Sequence, residues 1–259
     1  MKIGFIGAGN MGSAMIAALF AKNNAEKVVV FARSKTDEMA QKFGVIAVKD
    51  EIEVIKNSDM IFLATKPNTY EKILNLIKNE LKDKILITLA PNFTISQSLE
   101  ILGKTAKVAR AMPNTPTAIA QGVSAISFST NLSKTKQDEI REIFQNFGRV
   151  YELEESKFGA FTAIAGSLPA YVFMFIEAVA DAGVKNGIAR EQTYEIIAAS
   201  VAGSANLMLE SKKHPAVLKD EVCSPGGTTI EAVSMLEKLG FRSALIEAVH
   251  ACAKKANGR

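Results

Sequence analysis

The sequence predicts an α/β fold in two parts, a doubly wound and mainly parallel sheet over residues 1–153 and an all-helical dimerisation part over residues 154–259. Short apolar runs alternate with amphipathic segments through the first part, and a glycine-rich turn follows the first run at once. Beyond Glu154 only helical periodicity remains. Strands that are apolar almost throughout belong to a sheet covered on both faces, with ligands at the carboxyl ends of its strands.

The expected strands are Lys2–Ile6, Lys27–Phe31, Met60–Ala64, Lys84–Leu89, Lys107–Ala111, Val123–Phe128 and Gly148–Glu152. Amphipathic segments such as Thr69–Leu81 and Lys134–Phe147 carry apolar residues at helical spacing between them. In the second part helices are expected at Lys157–Asp181, Arg190–Ser211, Thr229–Leu239 and Arg242–Ala256. Residues 158–176 carry no charge, nor do residues 196–209. Gly159, Gly166 and Pro169 interrupt the first of these runs, so burial against protein is expected rather than a membrane span. Helices apolar nearly all round cannot be covered by a thin bundle of about 105 residues, and a second copy of the chain is the expected partner.

Composition excludes several chemistries. Lys and Arg total 31 against 27 acids, a surplus of +4 that is too mild for a nucleic-acid partner. Cys223 and Cys252 lack metal-type or redox-type spacing, and His214 and His250 lie far apart without acids beside them. No metal site and no Ser-His-Asp triad is expected, so the chemistry must come from an organic cofactor. The apolar start Ile3-Gly4-Phe5-Ile6 runs directly into the glycine turn, which argues against a cleavable leader and for a soluble, cytoplasmic protein.

Gly7-Ala8-Gly9-Asn10-Met11-Gly12 matches G-x-G-x-x-G between a strand and a helix, the context in which it cradles a dinucleotide pyrophosphate. The end of the second strand carries no acid for the ribose hydroxyls; Arg33 and Ser34 stand there instead, backed by Lys35 and Thr36. A planar cation with hydroxyl donors suits a 2′-phosphate, so NADPH is expected, with NADH a weaker alternative. Ala64-Thr65-Lys66-Pro67 and the loop holding Asn114 between Pro113 and Pro116 end strands facing the same crevice.

The most distinctive stretch is Ser224-Pro225-Gly226-Gly227-Thr228-Thr229, a turn leading into a helix. Amide groups at such a helix start bind a carboxylate without a cationic side chain. With Pro215, Leu218, Ala232 and Leu236 around it, this stretch resembles the signature of the pyrroline-5-carboxylate reductase family. The resemblance extends to the turn from Gly7, Lys66-Pro67, Met112-Pro113-Asn114-Thr115-Pro116, Gly166-Ser167-Leu168-Pro169-Ala170-Tyr171 and Gly240-Phe241-Arg242-Ser243. It implies reduction of 1-pyrroline-5-carboxylate to L-proline, with Ser224, Gly226, Gly227 and Thr228 holding the carboxylate end and the Thr229 hydroxyl reaching the ring nitrogen. It also implies active sites built from two chains, and dimers that often assemble into larger rings. Three positions depart from the family pattern: Leu168 replaces a glycine, Ala90-Pro91-Asn92 replaces a loop of small residues, and an asparagine that contacts the adenine ribose is replaced near Asp50 or Glu51. A β-hydroxyacid dehydrogenase would carry Lys followed four residues later by Asn in its first long helix; here Phe161 follows Lys157.

Overall fold

The computed structural model describes residues 1–22 and 27–258. They pack as two compact units, residues 1–167 with 252–258, and residues 168–251. Residues 154–167 and 252–258 thus pack with the first unit, although their sequence pattern is that of the helical part.

In chain order the first unit contains β1 (Ile3–Ile6), α1 (Asn10–Ala21), β2 (Val28–Phe31), α2 (Thr36–Phe43), β3 (Ile46–Ala47), α3 (Glu51–Lys56), β4 (Met60–Leu63) and α4 (Tyr70–Ile77). It continues with β5 (Ile85–Thr88), α5 (Ile95–Leu102), β6 (Lys107–Met112), β7 (Gly122–Phe128), α6 (Lys134–Gln145), β8 (Gly148–Glu152) and α7 (Phe158–Phe161). The strands form one sheet in the order β3-β2-β1-β4-β5-β6-β7-β8. Neighbours run parallel except β6 and β7. The expected strands all appear, within a residue or two at their ends. The edge strand β3 was not expected: two exposed residues carry no alternation to read.

Strand alternation sorts the core into two layers. Phe5 and Phe62 point to one face, stacked at 4.9 Å between centroids, and meet Met15, Leu19, Phe144 and Phe147 from α1, α6 and the turn after α6. Ile6, Ile61 and Leu63 point to the other and meet Val54, Leu74 and Ile77 from α3 and α4. Each such side chain, fully buried, contributes about 1.5–3 kcal/mol.

Polar ties brace the carboxyl ends of the strands. The Tyr70 hydroxyl donates to the Leu63 carbonyl at 2.5 Å and accepts from the Leu89 amide at 3.0 Å, joining the ends of β4 and β5. Burial raises its pKa well above the ordinary tyrosine value, so it stays a donor. Arg110 in β6 is buried, pairs with Glu155 at 2.9 Å, donates to the Pro91 carbonyl and lies 4.6 Å from the Phe158 ring centroid. Glu155 also accepts from the Ile95 amide at 3.1 Å, at the first residue of α5. A single charge pair therefore holds the loop after β5, the strand β6 and the approach to α7.

After α7 the helix widens to a π turn over Thr162–Gly166, with the Ser167 amide bonded to the Thr162 carbonyl at 2.8 Å. Pro169 has no N–H to give the carbonyl four residues back, that of Ala165. Asn114 supplies the donor: its Nδ2 reaches the Ala165 carbonyl at 3.0 Å while its Oδ1 accepts from the Val123 amide at 2.8 Å.

The second unit contains α8 (Leu168–Lys185), α9 (Arg190–Ser211), α10 (Pro215–Val222), α11 (Thr228–Lys238) and most of α12 (Phe241–Ala256). The helix α10 was not expected; Pro215 stands in its first turn and His214 Nδ1 accepts from the Ala216 amide at 3.2 Å. Helices α8 and α9 pack closely because Gly183 leaves room for Thr193, whose Cγ2 would stand 2.7 Å from an added Cβ. Ala180 and Thr193 are the buried residues of this unit. Phe173, Met174, Ile196, Val222 and Leu239 are all more than half exposed. Among the described residues one helical stretch, Glu155–Lys185, is long and apolar enough to cross a membrane by length and composition.

Asn114→Ala strands a buried carbonyl and a half-buried amide, each worth about 1–3 kcal/mol. Urea unfolding should show a loss of roughly 2–4 kcal/mol; a loss under about 0.5 kcal/mol would mean the two groups find other partners.

Candidate active site

The turn between β1 and α1 lies where the strand order reverses, between β1 and β4. Gly7 takes a φ of +99° and donates its N–H to the Phe31 carbonyl at 2.8 Å. An added Cβ on Gly7 would stand 2.7 Å from the Ala64 carbonyl oxygen, and one on Gly12 2.7 Å from that of Gly7. Both positions require glycine for packing. Gly9 differs: an added Cβ would meet nothing nearer than the Ala64 carbonyl oxygen at 3.9 Å. It is also the N-cap of α1, and no side chain caps that helix. The first-turn amides at Asn10 and Met11 thus adjoin an open backbone surface, which fits a dinucleotide pyrophosphate. Ala8 is buried in the core and takes part only through its backbone.

Beside this turn lies a cavity of about 160 Å³ whose lining includes Gly7, Arg33, Glu51, Thr65, Thr69 and Lys72. The Thr36 hydroxyl bonds both the N–H and the carbonyl of Ala32 at 2.7 Å, which folds the turn and leaves Arg33 and Ser34 exposed. Thr36 is therefore committed to the turn rather than to a ligand. The Thr69 hydroxyl donates to the Lys66 carbonyl at 2.8 Å and shares a hydrogen bond with the Thr65 hydroxyl at 2.9 Å, ordering the loop after β4, where Lys66 and Pro67 are exposed. The structure brings Gly7, Arg33 and Thr65 together as expected neighbours of one cavity. It adds Thr69 and Lys72, which carry no signal in the sequence because they enter from the exposed side of α4 and the turn before it. The side chain expected to face this crevice from Asn114 is engaged at both ends inside the unit.

The Ser224–Thr229 loop is built within the second unit. The Gly227 amide donates to the Ser224 carbonyl at 3.0 Å, closing a turn in which Gly226 takes a φ of +67°. An added Cβ on Gly227 would lie 2.4 Å from Ser224 Oγ, so the serine hydroxyl sits over the turn. Helix α11 starts at Thr228, one residue earlier than expected, with Gly227 as its N-cap and no side-chain cap. Its first-turn amides, the Ser224 hydroxyl, exposed Thr228 and half-buried Thr229 gather donors at one helix start.

These features define a dinucleotide-dependent oxidoreductase with a helical second part. The family described as pyrroline-5-carboxylate reductase dimerisation matches residues 155–258, and that described as NADP oxidoreductase, coenzyme F420-dependent, matches residues 2–92. The pyrroline-5-carboxylate reductase of Escherichia coli (strain K12) is 41% identical over 98% of this chain and 96% of its own. That of Aquifex aeolicus is 36% identical over 99% and 96%. The crystal structure of the Plasmodium falciparum pyrroline carboxylate reductase with NADP bound superposes with a TM-score of 0.90 at 32% identity, covering 100% of this chain and 97% of that one. The chain belongs to the pyrroline-5-carboxylate reductase family.

Arg33→Ala should weaken NADPH binding about tenfold, the low end for a charge-assisted contact because the side chain is exposed. Fluorescence titration with NADPH and NADH decides: equal losses for both would remove Arg33 from the 2′-phosphate.

Proposed function

We propose that the protein reduces 1-pyrroline-5-carboxylate to L-proline, taking hydride from NADPH. The observation that carries this reading is the uncapped start of α11, where Ser224, Gly226, Thr228 and Thr229 present donors in one turn that the Gly227 amide closes. Membership in the family over the whole chain supports it.

Bound NADPH supplies the hydride that adds to the imine carbon. The turn from Gly7 to Gly12 holds the pyrophosphate on the amides of α1, and Arg33 with Ser34 holds the 2′-phosphate. Ala64, Thr65, Lys66 and Pro67 border the path of the cofactor along the strand ends. The substrate carboxylate rests on the first-turn amides of α11 and the Ser224 hydroxyl. The Thr229 hydroxyl donates to the ring nitrogen as that atom gains an electron pair; the iminium form already carries the proton that the amine keeps. Orientation and exclusion of water do most of the work, in keeping with a site that needs no histidine.

The division of labour we infer is cofactor binding in residues 1–153 and substrate binding with dimerisation in residues 154–259. A second copy covers the apolar faces of α8 and α9, in preference to lipid, because Pro169, Glu177 and Asp181 interrupt the apolar helix Glu155–Lys185. Dimers assemble further into a ring, and the enzyme works in the cytoplasm, where Cys223 and Cys252 stay unpaired.

Two measurements test this reading. Thr229→Val keeps shape and backbone but removes the hydroxyl, so kcat/KM for the imine should fall roughly 5- to 150-fold with NADPH affinity unchanged. A valine variant as fast as the parent would leave Thr229 a helix-start residue only, and a parent inactive on the imine would end the proposal. Light scattering at micromolar concentration should show a dimer or a multiple of one; an active monomer would overturn the interface.

A further inference from the structure

The cavity beside the β1–α1 turn holds charges of both signs. Arg33 and Lys72 line it, and so does Glu51, from the first turn of α3. An acid is the residue that binds a free ribose 2′-hydroxyl, and a cation the one that binds a 2′-phosphate. The strand end that normally decides between them carries Arg33 and no acid, so the strand end alone reads as selective for the phosphorylated cofactor.

The three acids at the start of α3 divide by what they do. Asp50 caps the helix, its Oδ1 accepting from the Glu53 amide at 2.8 Å. Glu53 accepts from the Lys49 amide at 2.9 Å. The Glu51 carboxylate, half-buried like that of Glu53, has neither a hydrogen bond nor an ion pair among the described residues, and of the three it is the one that borders the cavity. Its neighbours across that cavity, Thr65 and Thr69, are bonded to each other at 2.9 Å, and Thr69 donates within its own loop. The first turn of α3 favours any carboxylate, and Glu51 is the one whose oxygens are left without a partner beside the cavity, where a sugar hydroxyl can meet them.

We propose that Glu51 sets the cofactor selectivity of this cavity. Its carboxylate accepts a hydrogen bond from an unphosphorylated ribose 2′-hydroxyl and repels a 2′-phosphate, offsetting part of the attraction from Arg33 and Lys72. The enzyme therefore takes NADH alongside NADPH, with a narrower preference than Arg33 alone would impose. This rests on the cavity being the adenosine end of the cofactor site, as proposed above.

Calorimetric titration of the whole protein with adenosine 5′-monophosphate and adenosine 2′,5′-bisphosphate tests the charge balance without catalysis. Glu51→Gln keeps the size of the side chain and removes its charge. The preference for the bisphosphate over the monophosphate should rise about tenfold, since a full charge opposite a phosphate is removed at a half-buried, solvent-screened site. Glu51→Lys should raise it further, and Arg33→Ala should lower it. Unchanged ratios in both Glu51 variants, with the parent binding both nucleotides, would overturn the role of Glu51 alone. Failure of the parent to bind either nucleotide would overturn the assignment of the cavity, and the role of Glu51 with it.

Discussion

Where β1 turns into α1, helix and strand come so close that a methyl group on Gly12 would stand 2.7 Å from the Gly7 carbonyl oxygen. The rest of the nucleotide-binding unit is arranged around that approach. It sets the start of α1 against the end of β1, at the reversal of strand order, and brings the end of β4 within reach through the Ala64 amide, which donates to the Ile6 carbonyl at 2.8 Å. A larger residue at either glycine would push the helix off the sheet and take its first amides away from the crevice. Gly9 is the one glycine of the three that packing does not demand, and its freedom faces the place where a phosphate has to approach.

The carboxyl ends of the strands carry loops rather than regular structure, and loops hold position only when something fixes them. Here buried polar side chains do so. Tyr70 ties β4 to β5, Arg110 ties the loop after β5 to Glu155, and Asn114 bonds both the edge of β7 and the π turn near Pro169. Each sits among apolar residues, where a missing partner costs more than it would at the surface. The crevice is thus bordered by braces whose removal is felt as stability first and as chemistry second.

Much of the fold was legible in the sequence because its signals are local. Nearly continuous apolar runs marked the long strands, the glycine spacing marked the first turn, and the uncharged stretch after Lys157 marked the start of the helical part. The edge strand β3 and the helix α10 were not legible: two exposed residues have no period, and α10 is short and polar enough to read as loop. The candidate site left a sequence signal where backbone conformation or close packing demands glycine, conformation at Gly7 and Gly226 and packing at Gly7 and Gly12. Arg33 stood out as a candidate through its place at a strand end. Asn114 looked like a ligand residue because a polar side chain between prolines at a strand end faces a crevice as often as a core, and only the Ala165 carbonyl reveals which. Thr69 and Lys72 reach the cavity through tertiary folding and carry no pattern at all.

The two-residue length of β3 bears on how the protein meets others of its kind. An open sheet has two edges, and each is a row of unpaired backbone groups ready to recruit another strand. At one edge β3 is too short to template a pairing. At the other, β8 carries Arg149 and Glu152, the latter paired with Arg141 from α6. Strand-to-strand addition, the route by which sheet proteins aggregate and fibrils grow, is blunted at both ends. A protein that keeps broad apolar surface on its helices can remain in solution only if its sheet does not compete for partners, and the edges of this sheet are built not to.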